Sequence, residues 1–286
     1  MDGEVILAIL IGLVPALFWG ILPIWIRKFA GGNFRQQLLG TTIGMVLLAT
    51  VVTLVWHLRC DWLASGLFFL SGFCWSFGQG GQYHGFETLG VSTTMPLSTA
   101  LQIVGNSIIG GLVFGEWHGA RDIGLSLVAL VVIVIGVLMT NGKIAGGRGK
   151  VGDYVMLAIS TAGYWGYSAL PHFAHVSSNL VGFLPQALGM LCSACLIGAM
   201  RPAGLFSKPT ARNISSGFIY GVAAGAYLVS LSLSGLVNAF ILSQLNVIVA
   251  TVLGGIVLHE FVKGQLRVTI AGLVVLLAGA VGLVML

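Results

Sequence analysis

Trp75-Ser-Phe-Gly-Gln-Gly-Gly-Gln82 is followed, after a short turn, by Gly90-Val-Ser-Thr-Thr-Met-Pro96 and then by Ser98-Thr-Ala-Leu-Gln102. On two helices, the helical period places the polar and aromatic side chains of this stretch on two stripes: Trp75, Gln79 and Gln82 on the first helix, and Met95, Ser98, Gln102 and Asn106 on the second. Glutamine and asparagine side chains both donate and accept hydrogen bonds. Such stripes therefore favour a neutral, hydroxyl-rich ligand over an ion.

The surrounding sequence is too apolar for a soluble protein. Of its 286 residues, 57% are hydrophobic and only 7% are charged, and the mean hydropathy is +1.01. Apolar runs near the roughly 20 residues that cross a bilayer recur along the whole chain. We therefore predict an all-α membrane protein. The net charge of +5 is then explained by basic loops that set the topology, rather than by a nucleic-acid partner.

The apolar runs predict about ten transmembrane helices. They are separated by short polar breaks. The predicted spans are Val5–Ile26, Gln37–Trp56, Trp62–Tyr83, Thr93–Phe114, Ile123–Thr140, Tyr154–His172, Leu180–Met200, Ile214–Leu233, Val237–Leu258 and Val268–Met285.

A Gly-rich, basic stretch at residues 141–153 separates two halves, residues 1–140 and 154–286. Short sequence echoes link the halves: Phe18-Trp-Gly20 and Tyr164-Trp-Gly166, Gln37-x-x-Gly40 and Gln186-x-x-Gly189, Ser71-Gly-Phe73 and Ser216-Gly-Phe218, and the segments Gly110–Glu116 and Gly254–Glu260. Five spans per half would give the halves opposite orientations. We therefore predict an inverted repeat, as in many secondary transporters, with residues 141–153 as a cytoplasmic linker.

The basic residues set the expected orientation. Of the 13 Lys and Arg residues, 11 fall in loops on one side, and only Arg59 and Arg121 fall on the other. Because cytoplasmic loops are enriched in Lys and Arg, the rich side is predicted to be cytoplasmic and both termini are predicted to face outward.

The sequence offers no catalytic or metal-binding motif. His259-Glu260-Phe-Val-Lys263 begins like a zinc-protease motif but has Lys where the second His ligand must stand. No pair of acidic residues lies within a span. We therefore expect neither enzyme activity nor a metal or other cofactor.

Two acidic residues at span ends are candidates for proton coupling. Glu116 and Glu260 occupy equivalent ends of the fourth and ninth predicted spans, and ionisable residues at membrane depth are often functional. The alternative is that each lies at the interface, solvated or paired with a base such as Arg121 or Lys263.

A sugar-binding site would account for the polar stripes. Sugar hydroxyls need hydrogen-bond partners when water is removed, and sugar C–H faces pack on aromatic rings. The candidate binding residues are Trp75, Gln79, Gln82, Ser98 and Gln102, with Trp19, Tyr164, Tyr167, Asn238 and Asn246 from other spans. The competing interpretation is that these side chains hold helices together, which contributes about 0.6 to 2 kcal/mol per contact.

The first half resembles the bacterial glucose/ribose porter family of the ten-helix drug/metabolite transporter superfamily. The resemblance rests on these motifs: Trp75-x-x-Gly-Gln79-x-x-Gln82, Gly90-Val-Ser-x-Thr-Met-Pro-x-Ser-Thr99, Gln102, Gly115-Glu-Trp117, Phe18-Trp-Gly20 and Leu39-Gly-Thr-Thr42. Over the second half the likeness is limited to the number and spacing of the spans.

The resemblance implies a permease of the bacterial plasma membrane that takes up a monosaccharide such as glucose, ribose or rhamnose. It further implies proton coupling and alternating access between the two five-helix halves. Pro23 and Pro96 are predicted hinges, since proline allows local bending of a membrane helix. Two alternatives stay open: facilitated diffusion, because no carboxylate lies in mid-span, and export of a small neutral metabolite, amino acid or drug.

Overall fold

The computed structural model describes residues 3–115, 117–140, 149–261 and 265–284, and their long elements are all helices. Eleven α-helices are assigned in these ranges: α1 (Gly3–Trp25), α2 (Phe34–Val55), α3 (Trp62–Thr88), α4 (Val91–Val113), α5 (Ala120–Thr140), α6 (Val151–Ala169), α7 (Phe183–Ala199), the short α8 (Lys208–Arg212), α9 (Ile214–Gln244), α10 (Asn246–Val257) and α11 (Gln265–Val284).

Five of the described helices are long and apolar enough to cross a membrane. They cover Leu10–Ala30, Phe34–Val55, Val91–Val113, Ala120–Thr140 and Asn179–Ala199. The prediction of an all-helical membrane protein is therefore confirmed. Helix α3 is as long but less apolar, because it carries the polar stripe of Gln79 and Gln82.

The region of α9 and α10 differs from the predicted spans Ile214–Leu233 and Val237–Leu258. The helix that begins at Ile214 extends to Gln244, and the next begins at Asn246. Ser230 and Leu242 nevertheless both lie at Gly12 of α1, although a straight helix would separate them by about 18 Å. Val249 then lies at Gly20. The chain therefore turns back between Ser230 and Leu242 and returns along α1.

Helix packing is similar in the two predicted halves. Helix α1 packs on α9 and α10, and α6 packs on α3 and α4. Helix α2 packs on α9, and α7 packs on α3. Three further pairs, α2 with α7, α4 with α10 and α5 with α11, join helices that would hold the same place in each predicted half.

Close backbone contacts at glycines of α2, α3, α7 and α9 recur at one spacing. A Cβ on Gly72 would overlap the carbonyl oxygen of Gln186, and a Cβ on Gly217 would overlap that of Thr41. Likewise Gly189 lies against the carbonyl of Phe69, and Gly44 against that of Ile214. The corresponding residues in each of these two pairs of contacts are 145 positions apart. In these contacts Gln186 holds the position that corresponds to Thr41, not to Gln37. The echo of Gln37-x-x-Gly40 in Gln186-x-x-Gly189 is thus displaced by about one helical turn.

Helices α5 and α11 show the same reciprocity. Gly136 lies against the backbone of Gly272 and Leu276, and Gly279 lies against the backbone of Ala129 and Ile133. Residue numbers rise along one helix as they fall along the other. The two helices therefore run antiparallel.

The ends of several helices are joined at the end of the molecule that carries the loops rich in Lys and Arg, which we call the basic-loop end. The rings of Phe34, at the start of α2, and His84 lie 5.6 Å apart, and His84 Nε2 is 3.1 Å from Asp153 Oδ1 at the start of α6. The backbone N–H of Lys150 and, to a lesser degree, His84 lower the pKa of the Asp153 carboxyl. Asn213 also donates a hydrogen bond to the carbonyl of Gly31.

Candidate functional site

The predicted polar stripes meet in the interior as one hydrogen-bonded chain. Gln79 and Gln82 on α3 are 3% and 8% exposed, and Gln79 Nε2 donates to Gln82 Oε1 at 3.0 Å. Gln82 Nε2 donates to Ser98 Oγ on α4 at 3.0 Å. The Tyr164 hydroxyl from α6 lies 3.0 Å from Gln79 Oε1 and 3.3 Å from Gln82 Oε1. The structure therefore brings together groups from three helices.

Gln102 extends this chain along α4, where its Nε2 donates to Ser98 Oγ at 3.1 Å. We call the set Gln79, Gln82, Ser98, Gln102 and Tyr164 the amide face. Gly78 makes room for Tyr164, since a Cβ there would come within 2.6 to 2.8 Å of the phenol ring. A small residue on α3 is thus required for the hydroxyl to reach both amides.

An aromatic cluster adjoins the amide face and includes residues that the sequence analysis did not select. The Trp75 indole, which is fully buried, donates to the Tyr220 hydroxyl at 2.9 Å. The Trp19 ring centroid lies 5.5 Å from that of Tyr220 and 5.9 Å from that of Tyr227. The side chains of Tyr167 and Tyr220 are also close enough to interact electrostatically. Tyr220 is therefore the common neighbour of three predicted site residues.

Both missed tyrosines lie at the 145-residue spacing of the glycine contacts. Tyr220 is 145 positions after Trp75, and Tyr227 is 145 positions after Gln82. The same spacing separates Trp19 from Tyr164, so the echo of Phe18-Trp-Gly20 in Tyr164-Trp-Gly166 is displaced by one position. The periodicity of a single helix could not show this correspondence, because the corresponding residues lie on different helices.

Two buried polar atoms beside the aromatic cluster have no hydrogen-bond partner among the described residues. They are the indole N–H of Trp19 and the side-chain oxygen of Asn246. Asn246 lies close to Trp19 along α1, because its backbone carbonyl lies at Gly20. An unpaired buried polar group costs roughly 1 to 3 kcal/mol. One donor and one acceptor are thus available to a ligand here. We call Trp19, Tyr220, Tyr227 and Asn246 the aromatic face.

One predicted site residue is only partly placed. Asn238 falls within α9, but its side chain lies outside the described part of the structure.

All side chains of the amide and aromatic faces are neutral. Over the described residues, no group of three His, Cys, Asp or Glu side chains is arranged to hold a metal ion.

Glu260 makes a specific contact between α10 and α4. Its two carboxylate oxygens accept hydrogen bonds from the backbone N–H groups of Val91, at 2.9 Å, and Ser92, at 2.7 Å. These groups begin α4, where the helix dipole favours a negative charge. Gly90 precedes them with φ +83, a left-handed conformation that suits glycine, and its Cα hydrogens face the carboxylate. Glu116 lies outside the described residues.

The two predicted hinge prolines lie in buried parts of α1 and α4. Pro23 is followed by a wider helical turn at Ile26–Ala30. Pro96 lacks an N–H, so the carbonyl of Ser92 has no helical donor at that position. The first turn of α4, which Glu260 holds, is therefore coupled less tightly to the rest of its helix.

Residues 10–286 match the family model described as Sugar transport protein. Two relatives named for sugar uptake, from Lactobacillus helveticus and Lactiplantibacillus plantarum, are 35% and 38% identical to this chain. Each alignment covers 95% of this chain, and it covers 98% and 97% of the two relatives, respectively. A relative from Latilactobacillus sakei that is named for ribose uptake is 38% identical over 96% of this chain and 97% of its own.

A chain of known crystal structure has a similar fold. It aligns with a TM-score of 0.60 at 18% identity over 98% of each chain. The family match and the relatives are consistent with the family that the motifs of the first half indicated. This multi-pass membrane protein therefore belongs to the sugar transport protein family.

Proposed function

We propose that this protein is a permease that takes up a monosaccharide across the bacterial plasma membrane. The observation that carries the proposal is that a buried amide face adjoins an aromatic face, both neutral, through Trp75, which lies one turn before Gln79 on α3 and donates to Tyr220. Amides and hydroxyls can exchange their mutual hydrogen bonds for those of a sugar, and aromatic rings can pack on its C–H face. Relatives named for sugar and ribose uptake support the same class of substrate.

The proposed architecture is an inverted repeat of five membrane helices. Helices α1–α5 (residues 1–140) form one repeat and α6, α7 and α9–α11 (residues 154–286) form the other, joined by a cytoplasmic linker at 141–153. The 145-residue spacing of the glycine contacts among α2, α3, α7 and α9 supports this arrangement, and so does the antiparallel packing of α5 on α11, where the corresponding residues are 143 positions apart. The basic loops support outward-facing termini.

Transport by alternating access follows from this arrangement. Several contacts between the halves close the basic-loop end, among them His84 with Asp153 and Glu260 with the start of α4. Bending at Pro23 and Pro96 would release this end while the equivalent contacts at the other end close. In the closed state the amide face satisfies its own hydrogen bonds. Substrate binding therefore replaces one set of hydrogen bonds by another.

Glu260 is the proposed proton-coupling residue at the cytoplasmic end, and Glu116 is its counterpart at the other. Protonation of Glu260 would remove the negative charge that the α4 N-terminus binds and would weaken the α4–α10 crossing. A proton arriving at this carboxylate would thereby favour opening. The same residue can thus link proton binding to the conformational change.

The experiment is uptake of radiolabelled glucose, ribose and rhamnose into proteoliposomes with and without an inward proton gradient. We expect accumulation of one sugar that the gradient increases. Equilibration that ignores the gradient would leave a uniporter and contradict proton coupling. Absence of sugar movement in vesicles with folded protein would contradict the permease and favour the exporter of a neutral metabolite, amino acid or drug.

A pair of glutamine variants separates a binding role from helix packing. Gln79→Ala removes a member of the amide face, and we expect the KM for the sugar to rise at least about tenfold. Gln186→Ala is the matched control, since Gln186 joins α7 to α3 through Ser71 outside the two faces. Equal uptake defects in both variants, at equal amounts of folded protein, would contradict the site assignment.

A further inference from the structure

We propose that a cavity at the basic-loop end, between the end of α1 and the start of α9, binds the headgroup of an anionic phospholipid. The cavity has a volume of about 410 Å³, and its lining includes Trp25, Phe29, Arg212, Ser215 and Phe218. This lining combines one cation with aromatic and aliphatic side chains. The combination is suited to a ligand with an anionic group attached to a hydrocarbon chain.

Arg212 supplies the positive charge and has no ion-pair partner among the described residues. The residue is exposed, and its backbone carbonyl accepts a hydrogen bond from Ser215 Oγ at 2.6 Å. The Trp25 indole donates to the same Ser215 hydroxyl at 2.9 Å. Two hydrogen bonds therefore hold the cavity wall and leave the guanidinium available. A guanidinium binds phosphate oxygens in a bidentate manner.

The apolar part of the cavity favours a lipid over a soluble phosphate compound. Phe29 and Phe218 are 57% and 42% exposed, and both border the same cavity as Arg212. Cytoplasmic leaflets carry anionic lipids, and basic pockets at the ends of membrane helices bind their headgroups. An acyl chain over the two rings would cover surface that a free phosphate ester leaves exposed.

A second groove and the equivalent position in the first half both lack a cation. The groove between α3 and α6 is larger, about 700 Å³, and its lining, which includes Cys74, Phe77 and Met156, contains no basic side chain. At the spacing of 145 residues, Arg212 corresponds to Leu67, which is apolar. Of the three places compared, only the cavity that contains Arg212 carries a cation, and it lies at the basic-loop end, where anionic headgroups would be available.

The test is lipid binding to the purified full chain in detergent, measured by native mass spectrometry and thermal unfolding. Phosphatidylglycerol is compared with phosphatidylcholine and with free glycerol phosphate. We expect one phosphatidylglycerol to bind about tenfold more tightly than phosphatidylcholine, since a charge-assisted pair forms only with the anionic headgroup. Free glycerol phosphate should bind at least as weakly as phosphatidylcholine.

Arg212→Gln should abolish this preference, while Arg201→Gln, at an exposed position outside the cavity, should retain it. Phe29→Ser should weaken the binding of both lipids without changing the ratio of their affinities. Equal preference in the Arg212 and Arg201 variants would overturn the proposal in favour of general surface charge. Tighter binding of free glycerol phosphate than of phosphatidylglycerol would overturn the lipid assignment. If Arg212→Gln does not fold, the Phe29 variant and the comparison of ligands still decide the question.

Discussion

The amide face and the aromatic face occupy equivalent places in the two proposed repeats, but their side chains differ. At the spacing of 145 residues, Gln79 corresponds to Ala224, Gln82 to Tyr227 and Tyr164 to Trp19. The backbone contacts that support the two faces are nearly the same, since Gly72 and Gly217 make the same close approach to a neighbouring carbonyl. The backbone packing is therefore alike at the two faces, whereas the glutamine side chains lie on the amide face alone.

The two faces also differ in how completely their polar groups are paired. On the amide face, the hydrogen bonds run from Tyr164 through Gln79 and Gln82 to Ser98. On the aromatic face, the Trp19 indole and the Asn246 oxygen have no partner among the described residues. A sugar could therefore bind first to the unpaired groups and the rings. The amide face would follow by exchanging its internal hydrogen bonds for the substrate hydroxyls.

The largest expected effect tests the backbone frame that the two faces share. Gly72→Ala and Gly217→Ala each place a Cβ against a backbone carbonyl, so we expect each to lower the free energy of unfolding by about 2 kcal/mol. Thermal unfolding in detergent measures the change. Gly66→Ala, in open space on α3, is the control and should be neutral or stabilising by up to about 1 kcal/mol. Tolerance of one of the two glycine variants would show that the halves do not share this contact.

An intermediate effect separates the two faces at the equivalent positions 19 and 164. Trp19→Phe keeps an aromatic ring but removes the unpaired N–H, so we expect a rise of about tenfold in KM for the sugar without loss of stability. Tyr164→Phe removes a hydroxyl that is already paired with Gln79, so stability should fall by about 1 kcal/mol. Uptake kinetics and thermal unfolding of both variants provide the comparison. Unchanged KM in Trp19→Phe would exclude its indole N–H from the site.

The smallest effect concerns the contact that holds the faces together at the basic-loop end. Glu260→Gln keeps the shape of the side chain but removes its charge from the α4 N-terminus, which we expect to cost about 1 kcal/mol. Stimulation of uptake by a proton gradient should also be lost. Asp61→Asn is matched, because Asp61 caps its own helix α3 through Leu63 and Ala64. This variant should retain gradient-stimulated uptake, and an equal loss there would remove the special role of Glu260.

The sequence by itself determined the class of the protein and one side of its candidate site. Composition and the length of the apolar runs established a helical membrane protein, because the bilayer imposes both. The period of the α-helix was sufficient to group Gln79 and Gln82, since side chains three residues apart lie on one face whatever packs against them. The facing Ser98 followed from the same argument applied to the next helix.

Only the tertiary structure decided which distant residues meet. It brought Tyr220 to Trp75, Glu260 to the start of α4 and the carbonyl of Gln186 to Gly72. It also showed the chain turning back between Ser230 and Leu242, where the assigned helix runs on to Gln244. Helical period is a local property, whereas these contacts join residues up to 169 positions apart. They depend on where small residues allow two backbones to approach.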